Sequence, residues 1–255
     1  MSKIDFELTE IVNEATMPVA GSIGNTLGSL WDICFGWIDA ADEKIRYKRA
    51  LEVLEYKQDL LDFKKVLDDE INSIPLNKLL DPPLEIVGPS FEALKFFLRE
   101  KKLRSYFAKL IAKSMNEDMA PYVHASFVEI IRQMSPLDAK IIEYFIHRET
   151  YPIAQYQKPR EDGYDVVHPL VFLHDICTEE NVKQVAISIS NLCRLGLLEC
   201  TFLESVSNKR EYDRYYLAES LRFSKDDPEE ALEVDEGVVG VTSYGAAFIF
   251  ACVAK

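Results

Sequence analysis

DPPLEIVGPSFEALKFFLREKKLRSYFAKLIAKSM, residues 81–115, followed after a short gap by VHASFVEIIRQM, residues 123–134, is the stretch from which the rest of the chain is read. A residue before proline is pushed out of the α region, so Asp81-Pro82-Pro83 and Gly88-Pro89-Ser90 should each set extended backbone ahead of a helix. Pro89 is expected in a first helical turn, where its missing N–H is harmless. Leu94, Phe97, Leu98, Phe107, Leu110 and Ile111 then recur at helical spacing, and the charged run near Arg99 is either a solvated face or a break between two helices. A further helix is expected over residues 126–133, turning Phe127, Ile130, Ile131 and Met134 inward. These residues describe packing, and none of them spells out a reaction.

Upstream, residues 39–74 hold neither Gly nor Pro, and Val53, Tyr56, Leu60, Phe63, Leu67, Ile71 and Ile74 advance by threes and fours, which predicts one long helix. Before it, MPVAGSIGNTLGSLWDICFGWI (17–38) places Gly21, Gly24 and Gly28 on one helical face, with Trp31 and Trp37 nearby. Two readings follow: a core helix lying tightly against the long helix, or a segment buried at rest and released into a membrane on activation, its small residues packing helices closely. Asn25, Asp32 and Asp39 weigh against the second. Residues 2–15 read as a short helix or an ordered arm.

Downstream, Ser135-Pro136-Leu137-Asp138 is a helix start, with Ser135 as N-cap and Pro136 at the first position. The domain boundary is placed here, dividing a helical domain, 1–134, from a second domain, 135–255. The second is expected to run as helix 136–147, a Pro- and Gln-rich loop 151–163, a strand or helix over 166–176, and helix 179–194 ended by Gly196. Strands at 197–203 and 214–218 should close a β-hairpin, followed by an acidic loop over 225–236 and a last helix capped by Thr242. The fold class is therefore mainly α: an N-terminal helical region with one long helix, and a C-terminal winged-helix-like α+β domain with a small β-hairpin.

A winged-helix order raises DNA binding, with Lys183, Gln184, Ser188, Asn191 and Arg194 on the recognition helix and Lys209, Arg210 and Arg214 in the wing. The net charge of −14 works against nucleic acid and anionic lipid alike. Five cysteines, an odd number set among apolar neighbours, read as free thiols of a reducing compartment rather than a disulfide framework. His168, His174 and Cys177, with Cys193 or Cys200, match no tight ligand spacing, so no metal is expected, and no cofactor either. GSIGNTLG (21–28) lacks the preceding strand and the glycine spacing of a dinucleotide loop, and no catalytic motif is found. The acidic N-terminus does not read as a secretion signal, and a cytoplasmic location is expected.

Five blocks together resemble the abortive-infection alpha (Abi-alpha) family of bacteria, formerly a domain of unknown function: IGNTLGSLW (23–31), the run 71–115, VHASFVEIIRQMSPLDAKII (123–142), ISISNLCRLGLLE (187–199) and TSYGAAFIFAC (242–252). The resemblance implies a cytoplasmic protein of phage defence that limits phage propagation at the expense of the infected cell, and it carries over no catalytic residue. The leading expectation is a non-enzymatic protein that acts through a protein partner or as a homo-oligomer, answering a phage-derived trigger. A membrane-perturbing effector and a winged-helix DNA-binding regulator are the alternatives.

Overall fold

The computed structural model describes residues 22–35, 47–177, 181–223 and 231–254. The chain divides into two compact units, Met1–Gln133 with Phe250–Lys255, and Met134–Ile249. Expectations for residues 2–15, Gly21, Trp37 and 225–230 lie outside the described residues, as does the side chain of Val53.

The first unit is helical: α1 (Ser22–Phe35), α2 (Tyr47–Asn72), α3 (Leu84–Phe97), α4 (Lys101–Ser114) and α5 (Phe127–Gln133). Leu60, Phe63, Leu67 and Ile71 of α2, with Ile74 beyond its end, form a buried stripe. Each such side chain contributes roughly 1.5–3 kcal/mol by leaving water. The charged run near Arg99 is a break, because α3 ends at Phe97 and α4 begins at Lys101.

The expectation for Pro89 was wrong. Only the first proline turn launches a helix: Pro83 is the N-cap of α3, and Pro89 lies inside it. The loss is one backbone hydrogen bond, which is offset by the burial of Ile86, Val87, Phe91 and Leu94 on the same helix. The chain's last residues join this unit through α4: Lys109 Nζ donates to the Val253 carbonyl at 2.6 Å, and Lys113 Nζ to those of Phe250 at 2.5 Å and Ala254 at 3.1 Å. Carbonyls at a helix C-terminus lack intrahelical partners, and the two ammonium groups supply them. Burial holds the Lys113 pKa below its usual value.

The second unit opens as the local residues dictate. Asp138 N–H donates to Ser135 Oγ at 3.1 Å and Ser135 N–H to Asp138 Oδ2 at 2.7 Å, a reciprocal cap that starts α6 (Pro136–Ile142). A 3₁₀ turn, Glu143–Ile146, continues it. Then come β1 (Thr150–Arg160), β2 (Gly163–Val171), α7 (Val182–Arg194), β3 (Leu198–Thr201), α8 (Asp213–Tyr216), α9 (Glu219–Arg222), β4 (Glu233–Val241) and α10 (Ser243–Phe248). The strands make one antiparallel sheet in the order β2-β1-β4-β3.

This sheet corrects three expectations. The stretch read as a Pro-rich loop is β1, an inner strand. Its prolines are tolerated because each falls where β1 has a neighbour on one side only: Pro152 opposite Val238 before pairing with β2 begins at Ala154, and Pro159 opposite Tyr164 after pairing with β4 ends at Gln157. No returning strand forms at 214–218: residues 213–216 are helical, and β3 pairs with β4 instead. Tyr212 and Tyr215, three apart, both enter the core, and an alternating strand could not bury both. Their hydroxyls donate to the Gly237 and Pro152 carbonyls at 2.6 and 2.7 Å, and Tyr156 Oη donates to the Tyr215 carbonyl at 2.8 Å. Lastly, residues 233–236 of the acidic loop are the start of β4.

Two helix-end readings hold. Gly196 takes φ +74°, with its N–H donating to the Cys193 carbonyl at 2.9 Å and the Leu197 N–H to that of Leu192 at 3.0 Å, the two hydrogen bonds of a Schellman end. Thr242 Oγ1 accepts from Gly245 N–H at 2.8 Å and caps α10.

Candidate interaction surface

On α7 the buried stripe Val182, Val185, Ser188, Ile189 and Leu192 steps by threes and fours. That spacing leaves Lys183, Gln184, Ile187, Ser190 and Arg194 exposed. Ile187 is 69% exposed, the apolar centre of an otherwise polar face. Alongside lies β2, an edge strand, and between them opens a groove of about 380 Å³ lined by Val167, His168, Pro169, Lys183, Ala186 and Ile187 among others. Val167, 43% exposed, adds apolar surface to its lining. Pro169 and the left-handed Leu170, φ +50°, interrupt the strand edge, which disfavours pairing with an incoming strand along its length. The groove therefore offers side-chain contacts, with one cation, Lys183. Burial lowers the His168 pKa and Lys183 lowers it further, which favours a neutral imidazole in the groove.

Of the residues expected to contact nucleic acid, several are engaged by neighbours within the fold. Asn191 Nδ2 donates to Asp138 Oδ2 at 2.9 Å, and its Oδ1 accepts from Arg194 Nη2 at 2.8 Å. Ser188 is buried. Lys209 Nζ is held by Glu236 Oε2 at 2.6 Å, and Arg214 Nη1 donates to the Leu173 carbonyl at 2.7 Å. Lys183, Gln184 and Arg210 are exposed.

Of the glycine-patterned segment, Gly24 and Gly28 lie in α1. A Cβ at Gly28 would meet nothing within 4 Å among the described residues, so no backbone presses against that face there. Trp31 is buried in a ring cluster, with Phe35 at 5.0 Å, Phe63 stacked at 6.3 Å and Phe91 edge-on at 6.1 Å. Among the described residues no helix is long and apolar enough to cross a membrane.

The imagined metal ligands also part company. His174 stands among Phe172, Tyr151 and Tyr144 at ring distances of 4.5, 4.9 and 5.2 Å, while Cys193 and Cys200 meet each other. Among the described residues no three His, Cys, Asp or Glu side chains converge on a metal position.

His174 carries a pH dependence. Burial lowers its pKa from 6.5, and Arg214 and Arg148 push the same way against Asp175 and Glu211. Between the folded and unfolded pKa values the unfolded chain binds more protons, so stability is present above the unfolded value of 6.5 and is lost as pH falls through the folded one. Urea midpoints should therefore decline as pH drops from about 7 toward 5. In His174→Phe, which keeps a ring among rings, that decline should flatten; an unchanged slope would locate the proton uptake elsewhere.

Residues 55–252 match the model of the abortive infection alpha family. The chain belongs to that family. No curated protein and no solved structure matches it. Within this abortive infection alpha protein the match runs from α2 through the whole sheet to the terminal turn, and of the five blocks read from the sequence only IGNTLGSLW precedes it. Ile187, Val167 and Pro169 were not singled out as a surface by sequence reasoning. The available signal was the helical period itself, since Ile187 falls off the stripe made by Val185, Ile189 and Leu192.

Proposed function

We propose that this chain is a non-enzymatic phage-defence protein of the abortive-infection type, and that it works by docking a partner protein on the α7–β2 groove. The carrying observation is Ile187, an aliphatic side chain 69% exposed at the centre of the face that borders the groove. The occupant that fits is a partner segment presenting two or three apolar side chains with a carboxylate opposite Lys183. A second copy of the chain fits less well, because each copy carries a net charge of −14 and two such surfaces repel. The DNA reading loses support from Asn191, Arg194, Lys209 and Arg214, whose polar groups are engaged within the fold.

The test is Ile187→Asp in cells challenged with phage. An exposed site should tolerate the change within about 0.5 kcal/mol of stability. Loss of a central anchor should weaken partner binding by about 30-fold, the equivalent of 2 kcal/mol, and protection should fall with it. A photo-crosslinking residue at position 187 should then join a phage or host protein segment during infection. Crosslinking only to a second copy would replace the partner with self-association. Full protection by Ile187→Asp would remove the groove from the function.

A further inference from the structure

We infer that Cys193 and Cys200 form a dithiol modification site, closed to an intramolecular disulfide by a hydroperoxide. The two sulfurs lie 3.5 Å apart, in hydrogen-bonding contact, although the residues are seven apart in sequence and sit on different elements, the last turn of α7 and the third position of β3. What brings them together is rigid. The Schellman end at Gly196 reverses the chain, and β3 is then held in register by β4, with Cys200 opposite Val239. An S–S bond is about 2.05 Å long, so closure needs the sulfurs to approach by about 1.5 Å, within reach of side-chain rotation.

The two thiols are not equivalent. The hydrogen bond between the two thiols lowers the Cys193 pKa, while that same bond, burial and the nearby Glu199 raise that of Cys200. Cys193 is therefore the attacking sulfur and Cys200 the resolving one. The Cys193 thiolate attacks one peroxide oxygen, the O–O bond breaks, and the other oxygen leaves as water or alcohol after taking a proton. The Cys200 sulfur then attacks the resulting sulfenic acid; the S–S bond forms, the S–O bond breaks, and water departs with the Cys200 proton. Overall the two thiols lose two electrons and two protons, and the hydroperoxide is reduced. At the other three cysteines, Cys34, Cys177 and Cys252, burial raises the thiol pKa.

The test uses the full chain and hydrogen peroxide, followed by peptide mapping under non-reducing conditions. The expected result is a loss of about 2 Da, one link joining the Cys193 and Cys200 peptides, and recovery of both thiols with dithiothreitol. Cys200→Ser should leave a Cys193 sulfenic acid that a dimedone-type reagent traps, and Cys193→Ser should form no link. Should a serine variant fail to fold by circular dichroism, the mapping of the unaltered chain decides alone. Links to other cysteines, a Cys193–Cys200 link formed only after denaturation, or both thiols still open to maleimide once surface methionines are oxidised would each overturn the inference.

Discussion

Arg104→Ala is expected to destabilise the N-terminal unit by about 3 kcal/mol. Arg104 is only 6% exposed, on the face of α4 that meets α2. Its guanidinium donates through Nη1 to Asp59 Oδ1 at 2.6 Å, the Asp59 carbonyl at 3.0 Å and the Leu98 carbonyl at 2.8 Å, and through Nη2 to Asp62 Oδ2 at 3.3 Å. Truncation leaves the Asp59 carboxylate and two carbonyls without their donor. The upper part of the usual 3–5 kcal/mol range is not reached, because the side chain of Asp62 is 45% exposed and turns to water. Arg104→Lys should recover little, since an ammonium cannot reach carbonyls and carboxylates in a planar fork. Urea unfolding followed by circular dichroism measures it, and a loss below about 1 kcal/mol would show the cluster to be incidental.

Gly245→Ala should cost a similar amount, about 3 kcal/mol, by overpacking. A Cβ there would stand 2.0 Å from the Leu197 carbonyl oxygen and 2.8 Å from its carbon. Leu197 cannot yield cheaply: its N–H closes the end of α7, and its carbonyl accepts the Thr242 N–H at 3.1 Å. Thr242 Oγ1 in turn donates to the Gly196 carbonyl at 2.6 Å, so the start of α10 rests directly on that turn. The contrast is Gly28→Ala, where the helix is open among the described residues and the smaller backbone entropy of alanine should stabilise by roughly 0.5–1 kcal/mol. Thermal melts of the two variants should move in opposite directions; a shared direction would mean that the close approach at Gly245 relaxes freely.

The helix ends at Ser135, Gly196 and Thr242 were legible because a cap is made within four or five residues of itself, and the residue types that can make one are few. The buried stripe of α2 was legible for the same reason, since period 3.6 is a property of one helix alone. Pro89 shows the limit of that locality. Its sequence neighbours signal a helix start, yet tertiary burial of the residues around it outweighs one missing hydrogen bond.

The candidate surface was legible only in halves. Ile187 is visible off the stripe of its helix, but Val167 and Pro169 become its neighbours only because β2 is brought beside α7. The residues expected to read DNA, Asn191, Lys209 and Arg214 among them, are polar or charged types. Their engagement with Asp138, Glu236 and the Leu173 carbonyl depends on partners 53, 27 and 41 residues away.

By itself, then, the sequence determined the family, the buried stripe of the long helix, the helix ends at Ser135, Gly196 and Thr242, and the net acidic charge, all set by composition or by contacts between near neighbours. Only the tertiary structure decided that residues 150–160 are an inner strand, that residues 213–216 turn helical to bury Tyr215 beside Tyr212, that Arg104 is shared by α2 and α4, and that two cysteines touch. Each of these rests on a partner remote in sequence or on a choice between local conformations that only burial could make, and the free energy of such a contact exists only once the intervening chain has folded.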